Sequence, residues 1–336
     1  TDGVAITSAG LTVLTAVGDI NLDNDLPFTH DLNEVDATGV NIVLRDVDDI
    51  QLGTVAASGT LTVQTETLDI TDTVGETVTV ADVTSLTTNS GAIILDEGHD
   101  FQSRVDADTT NGSGVGQADV NLNDTAGGIV LGTVQAANLT VTSSGGDVTD
   151  TLGRTILATG TTDINAAGSQ VLLDNPGVHD FQGQTDVDGT VVVLDDVNAL
   201  QLGTVNATTS LQVLANGAVT DTDGLVITVG GLTDIVTQND VVTLDAGHDF
   251  QGQVDVDTTN GSINAPADVV LNDTTGGIQL GAVTSDDLTV ISSGGDVTDT
   301  VGEAITVAGL TDITATGFQV LLNNPGVHDF QGQTDV

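Results

Sequence analysis

Asn198-Ala199-Leu200-Gln201-Leu202-Gly203-Thr204-Val205, followed by Leu211-Gln212-Val213 and Gly217-Ala218-Val219-Thr220-Asp221, sets the pattern of the whole protein. Apolar and polar residues alternate over short runs, and Gly, Asn or Asp separates each run from the next. That is the period of a strand with one buried face, bounded by turn residues. The stretch around it reads as eight short strands: Phe181–Val187, Val191–Leu194, Leu200–Val205, Leu211–Ala215, Ala218–Thr222, Leu225–Val229, Leu232–Val236 and Val241–Leu244. No window carries apolar residues at helical spacing between helix caps. The protein is predicted to be all-β.

The same words return at fixed intervals. All five histidines occur as His-Asp, at His30, His99, His179, His248 and His328, and their numbers differ in turn by 69, 80, 69 and 80. The full period is 69 + 80 = 149, which also separates Thr149-Asp150-Thr151 from Thr298-Asp299-Thr300 and Asn175-Pro176-Gly177 from Asn324-Pro325-Gly326. The array divides into half-units 30–98, 99–178, 179–247 and 248–327, with partial units at both ends. A repeat of this kind predicts one stack of like units rather than separate globular domains, so 1–336 is read as a single continuous solenoid.

Three coils per half-unit give about 23–25 residues per coil, which suits a three-sided parallel β-solenoid better than an antiparallel sandwich. Coils about 4.8 Å apart then place successive histidines about 14 Å apart and repeat the pattern about every 29 Å. The longer half-units hold their extra residues in one place, around Asp108-Thr109-Thr110-Asn111-Gly112-Ser113 and Asp257-Thr258-Thr259-Asn260-Gly261-Ser262. Asn-Gly between strands marks a tight turn, so each of these is predicted to be a protruding loop or short hairpin on one face of the rod. Asn111, Gly112, Asn260 and Gly261 are candidate ligand-contacting residues, because insertions in repeat proteins often lie on the binding face.

Composition narrows the partners. Forty-nine acidic residues face three arginines and no lysine, for a formal charge of −46. Such a surface repels phosphate backbones and anionic membranes, so neither nucleic acid nor a membrane is expected as a partner. Hydrophobic content is 38%, enough for a core, but aromatics make up 2%. The core is therefore expected to be a thin aliphatic layer. There is no cysteine, hence no disulfide or thiolate metal site, and no apolar run long enough to span a membrane as a helix. The sequence starts at Thr1 without a signal peptide and reads as a processed polypeptide or an excerpt of a longer one.

The 198–221 stretch, together with Leu-Leu-Asp-Asn and His-Asp-Phe within Val171–Gly183, resembles the repeats of filamentous-haemagglutinin-type bacterial surface proteins. The resemblance spans nearly the whole sequence. It implies a right-handed parallel β-helix exported as a long rod on a cell surface.

Several motifs are candidate sites. Histidines about 14 Å apart cannot share a metal ion, and none has a nucleophile beside it, so His at a coil corner over a buried Phe is the expected arrangement. A pH-sensitive array is the alternative, since each His adjoins an Asp. Thr-Asp-Thr, at Thr71–Thr73, Thr149–Thr151, Thr220–Thr222 and Thr298–Thr300, reads as a polar strand end and turn. Asp147, Asp150, Asp296 and Asp299 offer hard oxygen ligands, which makes calcium a possible cofactor. A polysaccharide lyase wants a base near clustered acids. The only such bases are Arg45, Arg104 and Arg154, and the copies of the last two are Gln253 and Glu303. The protein is thus read as non-catalytic.

The expectation from sequence is a structural segment of an extracellular, cell-surface fibre. Its partners would be flanking repeats or further copies packed head to tail, since uncapped coils expose strand edges. Two other readings stay open: an adhesin that binds a surface or carbohydrate ligand through the inserted loops, and a calcium-organised surface layer or matrix.

Overall fold

The computed structural model describes residues 5–23, 30–114, 116–261, 265–324 and 328–336. Every regular element among them is a strand, and the strands named below pair in parallel with strands one coil away. The protein divides into two compact units, Thr1–Gln170 and Val171–Val336. Each unit is a parallel β-solenoid.

In the first unit one ladder runs Ile42, Leu61, Thr84, Val105, Leu131 and Asp150, each residue paired with the next. Five steps carry it from position 42 to position 150, so one coil takes up about 22 positions on average. The second ladder runs Ile50, Ile70, Ile93, Val120, Leu139 and Thr162. The second unit repeats the arrangement, through Val192, Leu211, Thr233, Val254, Leu280 and Asp299 on one ladder and Leu200, Val219, Val242, Val269, Leu288 and Thr311 on the other. Coils are thus somewhat shorter than the 23–25 residues expected from the sequence. A typical coil shows three sides, such as 50–52, 55–57 and Leu61–Thr65, in which the first two belong to the one bent strand Ile50–Ala57.

Each half-unit differs from the expected three coils. From Leu61 to its counterpart Leu139 the backbone passes through 70–80, Thr84–Thr87, Ile93–Phe101, Arg104–Asp108, Val120–Asp124 and Ile129–Ala136, changing ladder at every step. Seven half-coils separate the two copies, so a half-unit is three and a half coils and equivalent strands swap ladders. Leu211 and Leu288 are related in the same way in the second unit. The 149-residue period therefore corresponds to seven coils, about 34 Å at about 4.8 Å per coil, rather than six.

Alternation decides which residues are buried. In Leu61–Thr65, Leu139–Ser143 and Val269–Asp273 the first, third and fifth side chains point inward. Val, Leu and Ile fill the first and third of these positions with essentially no exposure, buried Thr65, Ser143 and Asp273 take the fifth, and Phe101, Phe181 and Phe250 are the largest buried side chains. Each fully buried Val or Leu contributes about 1.5–3 kcal/mol, and stacking like on like spreads that gain along the array.

The phrase Leu-Gly-Thr is set by a polar bracket between coils. Asp186 Oδ1 accepts the Thr204 N–H at 2.6 Å, and a Cβ on Gly203 would lie 2.2 Å from that oxygen. Asp106 does the same for Thr133, and Asp255 for Ala282, over Gly132 and Gly281. Glycine stands there because the carboxylate of the preceding coil occupies its side-chain space.

Candidate functional site

The recurring His-Asp phrase builds a buried polar knot. His99 is fully buried; its Nε2 lies 2.8 Å from Asp72 Oδ2, and its Nδ1 accepts the Val78 N–H at 3.0 Å. His248 repeats this with Asp221 at 2.8 Å and the Ile227 N–H at 3.1 Å, and His328 with Asp299 at 2.8 Å and the Ile305 N–H at 3.1 Å. His30 Nδ1 accepts the Ile6 N–H at 3.2 Å. Residues 1–4, which precede Ile6, lie outside the described residues.

This geometry fixes the tautomer. A backbone N–H can only donate, so Nδ1 must carry a lone pair and the proton sits on Nε2, directed at the carboxylate. The ring is neutral. Burial holds His99 and His248 below the ordinary imidazole range, against the pull of Asp72 and Asp221 upward. Protonating Nδ1 would set two N–H groups against each other.

A second acid closes the knot one coil further on. Asp124, fully buried, takes the Phe101 N–H on Oδ2 at 2.7 Å and the Ala126, Gly127 and Gly128 amides on Oδ1 at 3.0–3.1 Å. Asp273 holds Phe250, Thr275 and Gly277; Asp196 holds Phe181 and Asn198; Asp46 holds Leu32 and Asp48. Burial, opposed by these amides, raises Asp46 to about 7 and Asp196 and Asp273 to about 6. At Asp299 burial alone would raise the carboxyl, but bonds from His328, Asn324 and Asn323 hold it below the usual range.

The signs of the two effects oppose. Unfolded histidine titrates near 6.5, so His99 and His248 bind more protons unfolded and their contribution is lost as pH falls below that value. Asp46, Asp196 and Asp273 bind more protons folded, so their contribution is present below pH ~4 and is lost as pH rises toward 6 or 7. Nitrogen-15 NMR of the imidazoles is expected to show the Nε2–H tautomer for His99 and His248, with midpoints below 6.5. A midpoint at or above 6.5 for either ring would contradict the knot.

Within the knot the side chains bond to one another and to the backbone. Both ring nitrogens of His99, His248 and His328 are used, and the acids are spent on amides. As expected from sequence, Phe101, Phe181 and Phe250 lie buried beside their histidines, with ring centroids 5.6–6.0 Å apart. The sequence reading missed two partners. The Asp of Thr-Asp-Thr, read as a turn, is the histidine's acceptor, and the Asp ending Leu-Asn-Asp anchors the Phe amide. The signal was there in the shared 27-residue offset of Asp72 from His99 and of Asp221 from His248.

The calcium candidates do not converge. Asp147 and Asp296 accept the Gln170 and Gln319 amides at 2.8 and 2.9 Å. Each lines a shallow groove, of about 410 Å³ beside Phe101, Gly127 and Gly128 and about 340 Å³ beside Phe250, Gly276 and Gly277. Asp299 belongs to the histidine knot, and its counterpart Asp150 ends the strand Val148–Asp150. Among the described residues no three His, Cys, Asp or Glu side chains cluster to hold a metal ion.

The inserted segments follow Arg104–Asp108 and Gln253–Asp257 and add no coil. Asn111 and Gly112 have φ of 48° and 76°, and Asn260 and Gly261 of 47° and 67°, the left-handed pair of a type I′ turn. All four residues are exposed. Asp108 ties the first turn down, with Oδ1 accepting from Thr110 and Oδ2 from the Gly112 N–H at 2.8 Å. Asp257 does so in the second, with the Gly261 N–H at 3.3 Å.

Parallel coils, a repeat of about seventy residues and a recurring buried knot define a β-solenoid repeat protein. A profile for the family described as repeats of unknown function, DUF5649, matches residues 39–108, 117–188, 189–257 and 266–336. The protein belongs to that family. The gaps between matched segments, 109–116 and 258–265, fall inside the two inserted loops. No curated protein and no solved structure matches it.

Proposed function

We propose that this protein is a non-catalytic structural segment of an extracellular, cell-surface fibre that extends by stacking further coils of the same kind. The observation that carries this reading is the fate of the recurring polar residues. A repeated reactive or binding site would keep its His and Asp open to solvent, whereas here they are turned inward and consumed in tying one coil to the next. A large acidic surface keeps such coils dispersed in salt, where its self-repulsion is screened.

Electron microscopy and fibre diffraction of the native material test this. Long continuous rods are expected, with a meridional spacing of about 4.8 Å and an axial repeat of about 34 Å. Short particles with distinct ends, whose surface binding disappears when the 109–116 and 258–265 segments are deleted, would overturn the fibre in favour of an adhesin.

A further inference from the structure

Asp108-Thr109-Thr110-Asn111-Gly112-Ser113 and Asp257-Thr258-Thr259-Asn260-Gly261-Ser262 are identical in sequence but not in surroundings. We propose that Asn111 is a self-modification site. It converts through a succinimide to aspartyl and isoaspartyl forms, faster than its twin Asn260.

The reaction needs the backbone nitrogen of the following residue to attack Cγ of the asparagine. Glycine offers the least hindered nitrogen, and both turns present it on an exposed tip. At the first turn two neighbours favour the attack. Asp108 Oδ2 lies 2.8 Å from the Gly112 nitrogen, within reach of a general base, and Gln64 Nε2 approaches Asn111 Oδ1 at 3.4 Å from two coils away. The amide proton passes to the carboxylate as the bond from the Gly112 nitrogen to Asn111 Cγ forms. Negative charge gathering on Oδ1 is met by the Gln64 amide. The Cγ–Nδ2 bond of Asn111 then breaks, the proton leaves with the nitrogen as ammonia, and water opens the ring at either carbonyl. No oxidant or cofactor enters.

The second turn keeps the carboxylate at longer range and has no counterpart of Gln64. Asp257 Oδ2 accepts from the Gly261 nitrogen at 3.3 Å, a longer and weaker contact than the 2.8 Å at the first turn. Gln64 is the fourth residue of Leu61–Thr65, and the fourth residue of the equivalent 211–215 stretch is Leu214, which has no donor. The product would add a carboxylate, and in its isoaspartyl form an extra backbone atom, to a loop that lies outside the family's own repeat.

Peptide mass spectrometry on the intact protein, aged at neutral pH, tests the proposal, with isoaspartate distinguished from aspartate by fragmentation. Asn111 is expected to convert about tenfold faster than Asn260, well below what a fully aligned enzymic donor supplies. Gln64→Leu should slow Asn111 toward the rate of Asn260, and Leu214→Gln should speed Asn260. In denaturant the two rates should become equal, because the hexapeptides are the same. Equal rates in the folded protein, or no response of Asn111 to Gln64→Leu, would overturn the assignment.

Discussion

Replacing Asp124 with Ala is expected to destabilise its coil by about 4 kcal/mol, because up to four N–H donors lose their acceptor at once. The Phe101 N–H is buried and can find no water in exchange, while the Ala126, Gly127 and Gly128 amides lose the oxygen that shapes their turn. The measurement is hydrogen exchange, read residue by residue. In a stack where each coil touches only its neighbours, damage spreads locally before the array melts. Protection should fall first at Phe101 and residues 126–128 and only later at distant coils. Uniform loss along the array would show that Asp124 is not a local anchor. Asp124→Asn should cost less, since the amide oxygen can still serve the turn while its nitrogen faces the Phe101 N–H.

Phe250→Ala is expected to cost about 3–5 kcal/mol, the range for emptying a buried aromatic site. Phe250 is 1% exposed, and its ring stands 5.6 Å from that of His248. Loss of the ring leaves a void beside a histidine whose two hydrogen bonds depend on its position. Phe250→Leu should be far milder, at about 1–2 kcal/mol. The protein itself supplies the precedent, since Leu32 takes this place in the first copy and is fully buried. Chemical denaturation followed by His248 NMR signals would separate the two variants. An Ala variant as stable as the Leu variant would mean that neighbouring Val and Leu side chains close the gap.

Much of the fold was legible because strand alternation and turn residues are local signals. Leu-Thr-Val between glycines and Asn can be recognised within a single short phrase, and buried Leu139 and Val141 confirm the reading. The number of coils per half-unit was not legible in the same way. It depends on where Val105 stacks, and its partners Leu131 and Thr84 lie at unequal distances along the sequence. Division of each half-unit into three assumes equal coils, and the turns are not equal. The knot was half visible for a related reason. His99 and Phe101 sit in one phrase, but Asp72 reaches them from the coil before and Asp124 from the coil after. An Asp near a turn looks the same in sequence whether its carboxylate points to water or inward. Only its recurring offset from a histidine separates the two cases.

Three and a half coils per half-unit constrains how such an array can grow. Copying a single seventy-residue repeat leaves the new copy facing the opposite flank, because an odd number of half-coils has been added. Copying two restores the original flank. Parity thus makes the pair, and not the single repeat, the unit of duplication that preserves what a surface presents. Adjacent halves are then free to diverge as two distinct lineages. The alternation of short and long halves, with loops in every second one, has the two-half period that this parity favours.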